Sequence, residues 1–293
     1  MFAGVGFHPE NCVKLFSGNT RLHFLTTYRS LHHFTGNWFY SYLFSLLWFC
    51  VAVSSVSLQK RVIGGKKCRD DERQYHVKIT GQSQTENYFC GGSLISDQWV
   101  LTAAHCWEVI KAHLGVHPKG TPVVTYTITR HEIYRDINGR EHDIMLLKLP
   151  RQTTIQPIRL ATCPDTLLLG TKVQIAGYGA AKAGFFFKKR IPHTPDELQC
   201  AELEVEKHEK MEKALVKLKV YSRSYQHWNC AKSSGKDTSG GDSGGGWVFN
   251  NRLYGVHAFT GDPKYACSKP TGFMDVCAYI GWIRQIIYGR NNG

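Results

Sequence analysis

The stretch that most constrains this chain is Lys236 to Gly245, which reads K-D-T-S-G-G-D-S-G-G. Glycine at this density is unfavourable in a helix or a central strand, because it costs conformational entropy and offers no side chain to pack. The pattern therefore predicts a tight loop. Such a loop can direct successive backbone N–H groups into one small space beside a hydroxyl, as oxyanion stabilisation requires. Ser243 is the candidate nucleophile, and an ordinary glycine-rich turn is the alternative.

Two other stretches carry the groups that a nucleophilic serine needs, a base to take its proton and a carboxylate to orient that base. His105 lies near the end of L-T-A-A-H-C at 101–106, and Asp143 precedes the apolar part of E-H-D-I-M-L-L-K-L at 141–149. Each residue alone is more typical of a structural histidine or a turn aspartate. Together with Ser243 they give the chain order His, Asp, Ser. Three unrelated groups of serine hydrolases each have their own order of these residues, and this order matches only one of them.

With these motifs the sequence resembles the trypsin and chymotrypsin family of serine proteases. The resemblance runs from Arg61 to about Tyr288 and includes R-V-I-G-G at 61–65, C-G-G-S-L-I at 90–95 and C-A-Y-I-G-W-I at 277–283. It implies an all-β fold of two six-stranded antiparallel β-barrels, with the active site between them and a short C-terminal helix.

The resemblance also implies a role for each candidate residue. Ser243 attacks the peptide carbonyl, His105 takes and returns the proton, and Asp143 orients and stabilises the imidazole. The backbone N–H groups of Gly241 and Ser243 form the oxyanion hole. Ala258 replaces a serine that, in the family, hydrogen-bonds to the triad aspartate, so we expect a slower enzyme rather than an inactive one.

The residues before this region predict a leader. Residues 38–56 form an apolar run without a charge, which is typical of a signal-peptide core or a membrane span. Small residues at its end suit signal peptidase, whereas the long stretch 1–37 better fits an uncleaved anchor. We expect a leader at 1–57 and a secreted protein, and the alternative is membrane anchoring through 38–56.

The activation junction of the family is matched by K-R-V-I-G-G at 60–65. We expect a short propeptide at 58–61 and a protease domain at 62–293. Cleavage after Arg61 would create an α-amino group on Val62, and the resemblance implies that this amine pairs with Asp242 and orders the nucleophile loop. Because a buried carboxylate without a partner is unfavourable, the pairing would drive the switch from zymogen to enzyme.

The specificity pocket gives conflicting signals. Asp237 matches the pocket-base aspartate that selects Lys or Arg in trypsin-like enzymes. Thr260 and Thr271 match wall positions that are glycine in typical trypsins, which predicts a narrowed pocket. We expect weak cleavage after Lys or Arg, with small residues as the alternative specificity. The alternative function is a weakly active or inactive homologue used as a binding or toxin-like protein.

Ten cysteines in a chain with a secretory-type leader indicate disulfide bonds. Spacing alone leaves 105 pairings for the eight that follow Arg61. The resemblance implies three pairs: Cys90 with Cys106, Cys68 with Cys200, and Cys163 with Cys277. Cys230 and Cys267 lack their usual family partners, so we expect two thiols, and a mutual disulfide is the alternative.

Composition limits the partners. The 36 Lys and Arg residues outnumber the 23 Asp and Glu residues, which favours anionic partners. No zinc-finger spacing or RNA-binding motif is present, so we expect no nucleic acid. The expected partners are protein or peptide substrates, protease inhibitors and anionic glycans.

We expect neither a cofactor nor a metal, because Gly115 to Val123, where some family members bind calcium, has no carboxylate. Residues 183–190, A-G-F-F-F-K-K-R, predict a solvated loop beside the cleft.

Overall fold

The computed structural model describes residues 62–289 except for short gaps at 83–86, 108, 165–166, 180–181, 184–188, 192–194, 208, 210–211, 214–215, 217–224 and 263. The chain divides into two units, residues 1–58 and 59–293, and all described residues belong to the second. The predicted leader at 1–57, its apolar run at 38–56 and the propeptide with Arg61 lie outside the described residues. No helix in the described part of the chain is long and apolar enough to cross a bilayer.

The described residues form short strands and one long helix. Most strands are rich in β-branched, aromatic and other apolar residues, and turns containing Gly, Pro, Asn or Asp separate many of them. The elements are β1 (Lys66–Lys67), β2 (His76–Gln82), β3 (Asn87–Leu94), β4 (Trp99–Thr102), β5 (Val109–Leu114), β6 (Val124–Thr127), β7 (Arg130–Arg135), β8 (Glu141–Lys148), β9 (Arg159–Leu160), β10 (Lys172–Gly177), β11 (Lys182–Ala183), β12 (Arg190–Ile191), β13 (Gln199–Glu206), β14 (Trp228–Lys232), β15 (Gly246–Phe249), β16 (Arg252–Phe259), β17 (Thr271–Asp275) and helix α1 (Val276–Tyr288).

The C-terminal sheet closes into a barrel. Strands β13, β10, β15, β16, β17 and β14 pair in that order, each antiparallel to the next, and β14 pairs back to β13. Buried side chains fill its interior, among them Val173, Leu203, Trp247 and Phe273. From Ala201 to Val205 in β13 the buried and exposed residues alternate, as a strand with one face in a barrel requires.

The N-terminal sheet has seven strands, in the order β6-β5-β2-β3-β4-β8-β7. Within the described residues β6 and β7 do not pair, so this sheet is a half-barrel. Strand β6 lies mostly exposed and Val124 is 48% exposed, so β6 has no buried face to hold it against β7. The all-β fold with a C-terminal helix is confirmed; of the two predicted six-stranded barrels, one is closed and the other is open.

Helix α1 packs against both sheets. Asp275 caps its first turn by accepting a hydrogen bond from the Cys277 N–H, and the buried helix residues are Val276, Tyr279 and Ile283. The Tyr279 hydroxyl lies 2.8 Å from His142 Nδ1 on β8. One continuous core therefore joins the helix, the half-barrel and part of the closed barrel.

Three disulfide bonds hold these elements, and they are the three pairs that the family resemblance implies. Their Cα atoms lie 5.0 to 6.3 Å apart, which is normal for a disulfide. The pairs are Cys68–Cys200, Cys90–Cys106 and Cys163–Cys277. Cys230 is buried and Cys267 is partly exposed, and both retain thiols.

Candidate active site

His105 lies in a single 3-10 turn, Ala104–Cys106, directly after buried strand β4. The disulfide from Cys106 to Cys90 on the neighbouring strand β3 holds the end of this turn. The Tyr88 hydroxyl donates a hydrogen bond of 3.1 Å to the Cys106 carbonyl. Two contacts therefore anchor Cys106 at the end of the turn, while the His105 side chain remains 36% exposed.

Asp143 faces this turn from strand β8, which pairs antiparallel with β4. Its carboxylate accepts hydrogen bonds from the His105 backbone N–H at 2.9 Å and lies 2.8 Å from His105 Nδ1. An ionised carboxylate can only accept, so we assign the imidazole proton to Nδ1. The Nε2 lone pair of His105 is then available to accept a proton from another group.

Gln226 supports Asp143 from a third segment. Its buried side-chain oxygen accepts a hydrogen bond of 2.8 Å from the Asp143 backbone N–H. Ala258, which replaces the serine of the family, is buried and offers no hydroxyl. Sequence reasoning missed Gln226, because 83 residues separate it from Asp143 and no local pattern marks it.

The loop with Ser243 packs against the end of β4. The Gly91 N–H donates to the Ser243 carbonyl at 2.7 Å, and the Thr102 hydroxyl donates to the Gly91 carbonyl at 2.8 Å. Gly244 has φ 77°, and a Cβ there would lie 2.1 Å from the Thr102 hydroxyl oxygen. Only glycine fits this approach. The contact places the Ser243 segment beside residues that immediately precede His105.

The backbone of the same loop leaves two N–H groups available. The N–H groups of Asp242, Gly244 and Gly245 donate to carbonyl oxygens of the chain. Among the described residues, no hydrogen bond is donated by the N–H of Gly241 or of Ser243. Gly241 has φ 96°, and the Phe89 ring covers the position of its missing side chain. This geometry suits the predicted oxyanion hole, which needs two free donors beside the nucleophile.

Asp242 is a buried carboxylate next to the nucleophile. It accepts hydrogen bonds of 2.8 Å from the N–H groups of Gly179 and Ser239. Burial nevertheless raises its pKa to about 6, because desolvation outweighs the two hydrogen bonds. Val62 is fully buried, and the Ile63 carbonyl accepts a hydrogen bond from the Asp237 N–H at the start of the same loop.

Asp237 forms a buried ion pair that the sequence did not predict. The Arg190 guanidinium lies 2.6 Å from the Asp237 carboxylate, and their side chains are 10% and 4% exposed. The Cys267 N–H donates to the same carboxylate oxygen at 2.7 Å, and the Thr238 N–H donates to the other at 2.8 Å. Burial raises the pKa of Asp237 against the opposing effect of the Arg190 charge.

The two wall threonines, Thr260 and Thr271, converge on Thr238. The Thr271 hydroxyl donates to the Phe259 carbonyl at 2.7 Å and lies 2.8 Å from the Thr238 hydroxyl, which lies 3.2 Å from the Thr260 hydroxyl. A hydroxyl has one proton to donate, so Thr271 must accept from Thr238, and Thr238 must accept from Thr260. The three hydroxyls thus form one chain of hydrogen bonds that runs from Thr260 through Thr238 to Thr271.

A groove of about 490 Å³ lies beside His105 on the side of strands β7 and β8. Ile133, Arg140 and Tyr225 are among its lining residues, and the Arg140 guanidinium carbon lies 4.1 Å from the Tyr225 ring centroid. This groove offers an extended surface next to the candidate site.

Comparison with known proteins gives consistent results. A family model described as Trypsin matches residues 62–283. The thrombin-like enzyme elegaxobin-2 of Protobothrops elegans is 31% identical over 244 residues, which cover 79% of this chain and 98% of that protein. Kallikrein-8 of Homo sapiens is 30% identical over 266 residues, which cover 85% and 94% respectively.

A solved structure has the same architecture. It is described as neuropsin, a serine protease expressed in the limbic system of mouse brain, and it matches with a TM-score of 0.62 at 29% identity. The match covers 76% of this chain and 98% of that one. Fold and relatives define a serine endopeptidase built on β-barrels. The chain belongs to the trypsin family.

Proposed function

We propose that this chain hydrolyses peptide bonds with Ser243 as nucleophile. The observation that carries the proposal is the hydrogen bond between His105 Nδ1 and buried Asp143, formed next to the segment that holds Ser243. Ser243 Oγ attacks the scissile carbonyl carbon while His105 Nε2 takes the hydroxyl proton. Asp143 stabilises the resulting imidazolium, and the N–H groups of Gly241 and Ser243 bind the oxyanion.

The reaction has two steps, in which Ser243 is first acylated and then released by water. The tetrahedral intermediate breaks its C–N bond, and the amine leaves with the proton carried by His105, which gives an acyl ester on Ser243. Water attacks this ester and gives its proton to His105, which returns a proton to Ser243 Oγ as the carboxylic acid leaves. Gln226 acts as a positioning residue, because it holds the backbone at Asp143.

We also propose that the protein is made as a zymogen. Cleavage after Arg61 would turn the Val62 amide nitrogen into an ammonium group. The buried Asp242 carboxylate supports this proposal, because burial raises its pKa to about 6 and so disfavours its ionised form. Pairing with Val62 would compensate the charge and fix the loop from Gly241 to Ser243.

We propose secretion and removal of the leader in preference to anchoring through residues 38–56. A snake venom serine protease, serpentokallikrein-2, is among the relatives and is 30% identical. Expected partners are protein substrates and protease inhibitors, and the net charge of +13 supports surface binding of anionic glycans. N-terminal sequencing of the protein in culture medium separates the two localisations.

The decisive experiment is active-site labelling. The precursor is cleaved with immobilised trypsin, separated from it, and treated with a fluorophosphonate, which phosphonylates an activated serine. Peptide mapping is expected to find the label on Ser243 alone. The Ser243→Ala variant, treated in the same way, is the matched control and should take up no label. A cleaved, folded chain without label would instead support the non-catalytic homologue.

A further inference from the structure

The contact between Arg190 and Asp237 neutralises the carboxylate that the family resemblance assigns to the base of the specificity pocket. The guanidinium uses three nitrogens: Nη2 contacts the Asp237 carboxylate, Nη1 donates to the Thr238 carbonyl, and Nε donates to the Asp262 carbonyl at 2.8 Å. Such a multiply bonded, planar group is held in one orientation. The positive charge that a substrate would bring to Asp237 is therefore already supplied by the protein.

A substrate Lys or Arg would have to replace this internal cation. Displacing Arg190 would leave a guanidinium unpaired in a site where its side chain is only 10% exposed, which is strongly unfavourable. Adding a second cation without displacement would place like charges around one carboxylate, of which both oxygens already accept hydrogen bonds. Either route opposes binding of a cationic side chain.

The threonine chain adjoins this ion pair, because Thr238 directly follows Asp237 and its carbonyl accepts a hydrogen bond from Arg190 Nη1. Thr238 and Thr271 are each 1% exposed, and Thr260 is the partly exposed member. Because Thr260 donates its proton to Thr238, the hydroxyl oxygen of Thr260 keeps lone pairs that can accept a hydrogen bond. The branched side chains of Thr260 and Thr271 favour a short substrate side chain, and neither sign of charge is favoured because Arg190 and Asp237 neutralise each other.

We propose that Arg190 is a specificity-determining residue, which restricts cleavage to bonds that follow small uncharged residues such as Ala, Ser, Thr or Val. The proposal rests on the proposed peptidase function. It replaces the expected preference for Lys or Arg, because Asp237 serves as the internal partner of Arg190 instead of as a binding site for substrate cations.

The test compares specificity constants for peptide amides that differ only in the residue before the scissile bond: Ala, Val, Glu, Lys and Arg. Rates are normalised to the concentration of fluorophosphonate-reactive sites. For the unmutated enzyme, the Lys and Arg substrates are expected to be cleaved at least about tenfold less efficiently than the Ala substrate. In Arg190→Gln the Lys and Arg values should rise about tenfold or more, because Asp237 loses its internal cation.

A matched control is available in the adjacent residue. Lys189 is exposed and carries the same charge, so Lys189→Gln removes one positive charge without touching the ion pair. It should leave all five specificity constants within about twofold. An equal gain in Lys189→Gln and Arg190→Gln would indicate a general charge effect and would overturn the proposal.

A second pair of variants covers the case in which Arg190→Gln does not fold. Arg190→Gln combined with Asp237→Asn removes both charges together and leaves no buried ion unpaired. It should gain no Arg cleavage, since attraction of a substrate cation needs the carboxylate. Gain of Arg cleavage in this double variant, or preference of the unmutated enzyme for Lys or Arg, would refute the role of Arg190.

A binding measurement that requires no catalysis tests the role of Arg190 independently of the peptidase proposal. Benzamidine, a small aromatic cation, is titrated calorimetrically into Ser243→Ala with and without Arg190→Gln. The added substitution should tighten binding about tenfold or more. If no serine reacts with fluorophosphonate, the peptidase proposal fails while this comparison still decides the role of Arg190. Equal benzamidine affinities would contradict the inference even in an active enzyme.

Discussion

Asp242→Asn, introduced into the uncleaved chain, isolates the physical basis of the proposed activation switch. In that state the Asp242 carboxyl is fully buried and its pKa is raised to about 6 from 3.8. A rise of this size corresponds to roughly 3 kcal/mol of unfavourable free energy for the ionised form at pH 7. Asparagine has nearly the same shape but carries no charge, so it removes this cost.

The sign of the pH effect follows from proton binding. Between pH 3.8 and about 6 the folded precursor holds a proton on Asp242 that the unfolded chain has released. The stability of the precursor therefore falls as pH rises through this window, and the full cost is present above pH 6. Asparagine does not titrate, so at this position it adds no pH dependence to the stability of the precursor.

The substitution to asparagine also removes a hydrogen bond. The carboxylate accepts one N–H bond on each oxygen, from Gly179 and Ser239, whereas an amide offers a single oxygen. Losing one of these bonds costs about 1 kcal/mol. The Asn variant of the precursor should thus be about 2 kcal/mol more stable than the parent at pH 7 and about 0.5 kcal/mol less stable at pH 4, where the unfolded chain is only partly ionised.

The measurement is urea unfolding between pH 4 and pH 8, in a background of Arg61→Gln and Ser243→Ala that prevents cleavage. The expected signature is a stability difference that changes sign within this range. A difference that is constant with pH would refute the assignment of the buried charge. The cleaved Ser243→Ala chain is the control, because there Asn should destabilise at pH 7 by depriving the Val62 ammonium of its partner.

Three further predictions concern other residues. Arg61→Gln should give a precursor that trypsin treatment leaves inactive, since no amine forms at Val62; amidase activity equal to that of the treated parent would contradict the switch. His257→Val should raise the unfolding free energy at pH 7 by about 1–3 kcal/mol, because both ring nitrogens of His257 are buried without partners among the described residues. The gain, measured by urea unfolding, should grow towards pH 5, because burial lowers the pKa of His257 to about 3 and only the unfolded chain takes up the proton; a smaller gain at pH 5 would count against this. Iodoacetamide should alkylate Cys267 before Cys230, which is 1% exposed; a peptide that joins the two cysteines in non-reducing mapping would disprove that expectation.

The nucleophile loop could be predicted because its requirements are local. Glycine is needed at positions 241 and 244, where φ is positive and neighbouring groups occupy the space of a side chain. These constraints involve only a few adjacent residues, so the motif around Ser243 can be recognised from the sequence. The motifs with His105 and Asp143 became informative only through their order, and strands β4 and β8 bring the two residues together by pairing.

The ion pair in the pocket could not be predicted in the same way. Arg190 follows three aromatic residues and two lysines in a stretch whose composition is typical of a solvated loop. Asp237 lies 47 residues further along, and their contact depends on how β12 is held, with the Arg190 N–H donating to the Lys264 carbonyl. Such a contact is a property of tertiary packing and has no signature in the sequence around either residue.

Asp237 and Asp242 lie in one loop, and we propose a role in specificity for the first and in activation for the second. Both carboxylates are buried within five residues of each other, and each needs a positive charge to remain ionised at low cost. Arg190 meets that need for Asp237 before any cleavage. At Asp242 burial raises the pKa and outweighs the lowering effect of the Arg190 charge. We therefore expect Arg190 to neutralise the pocket base without cleavage, whereas the proposed activation step depends on the amine of Val62.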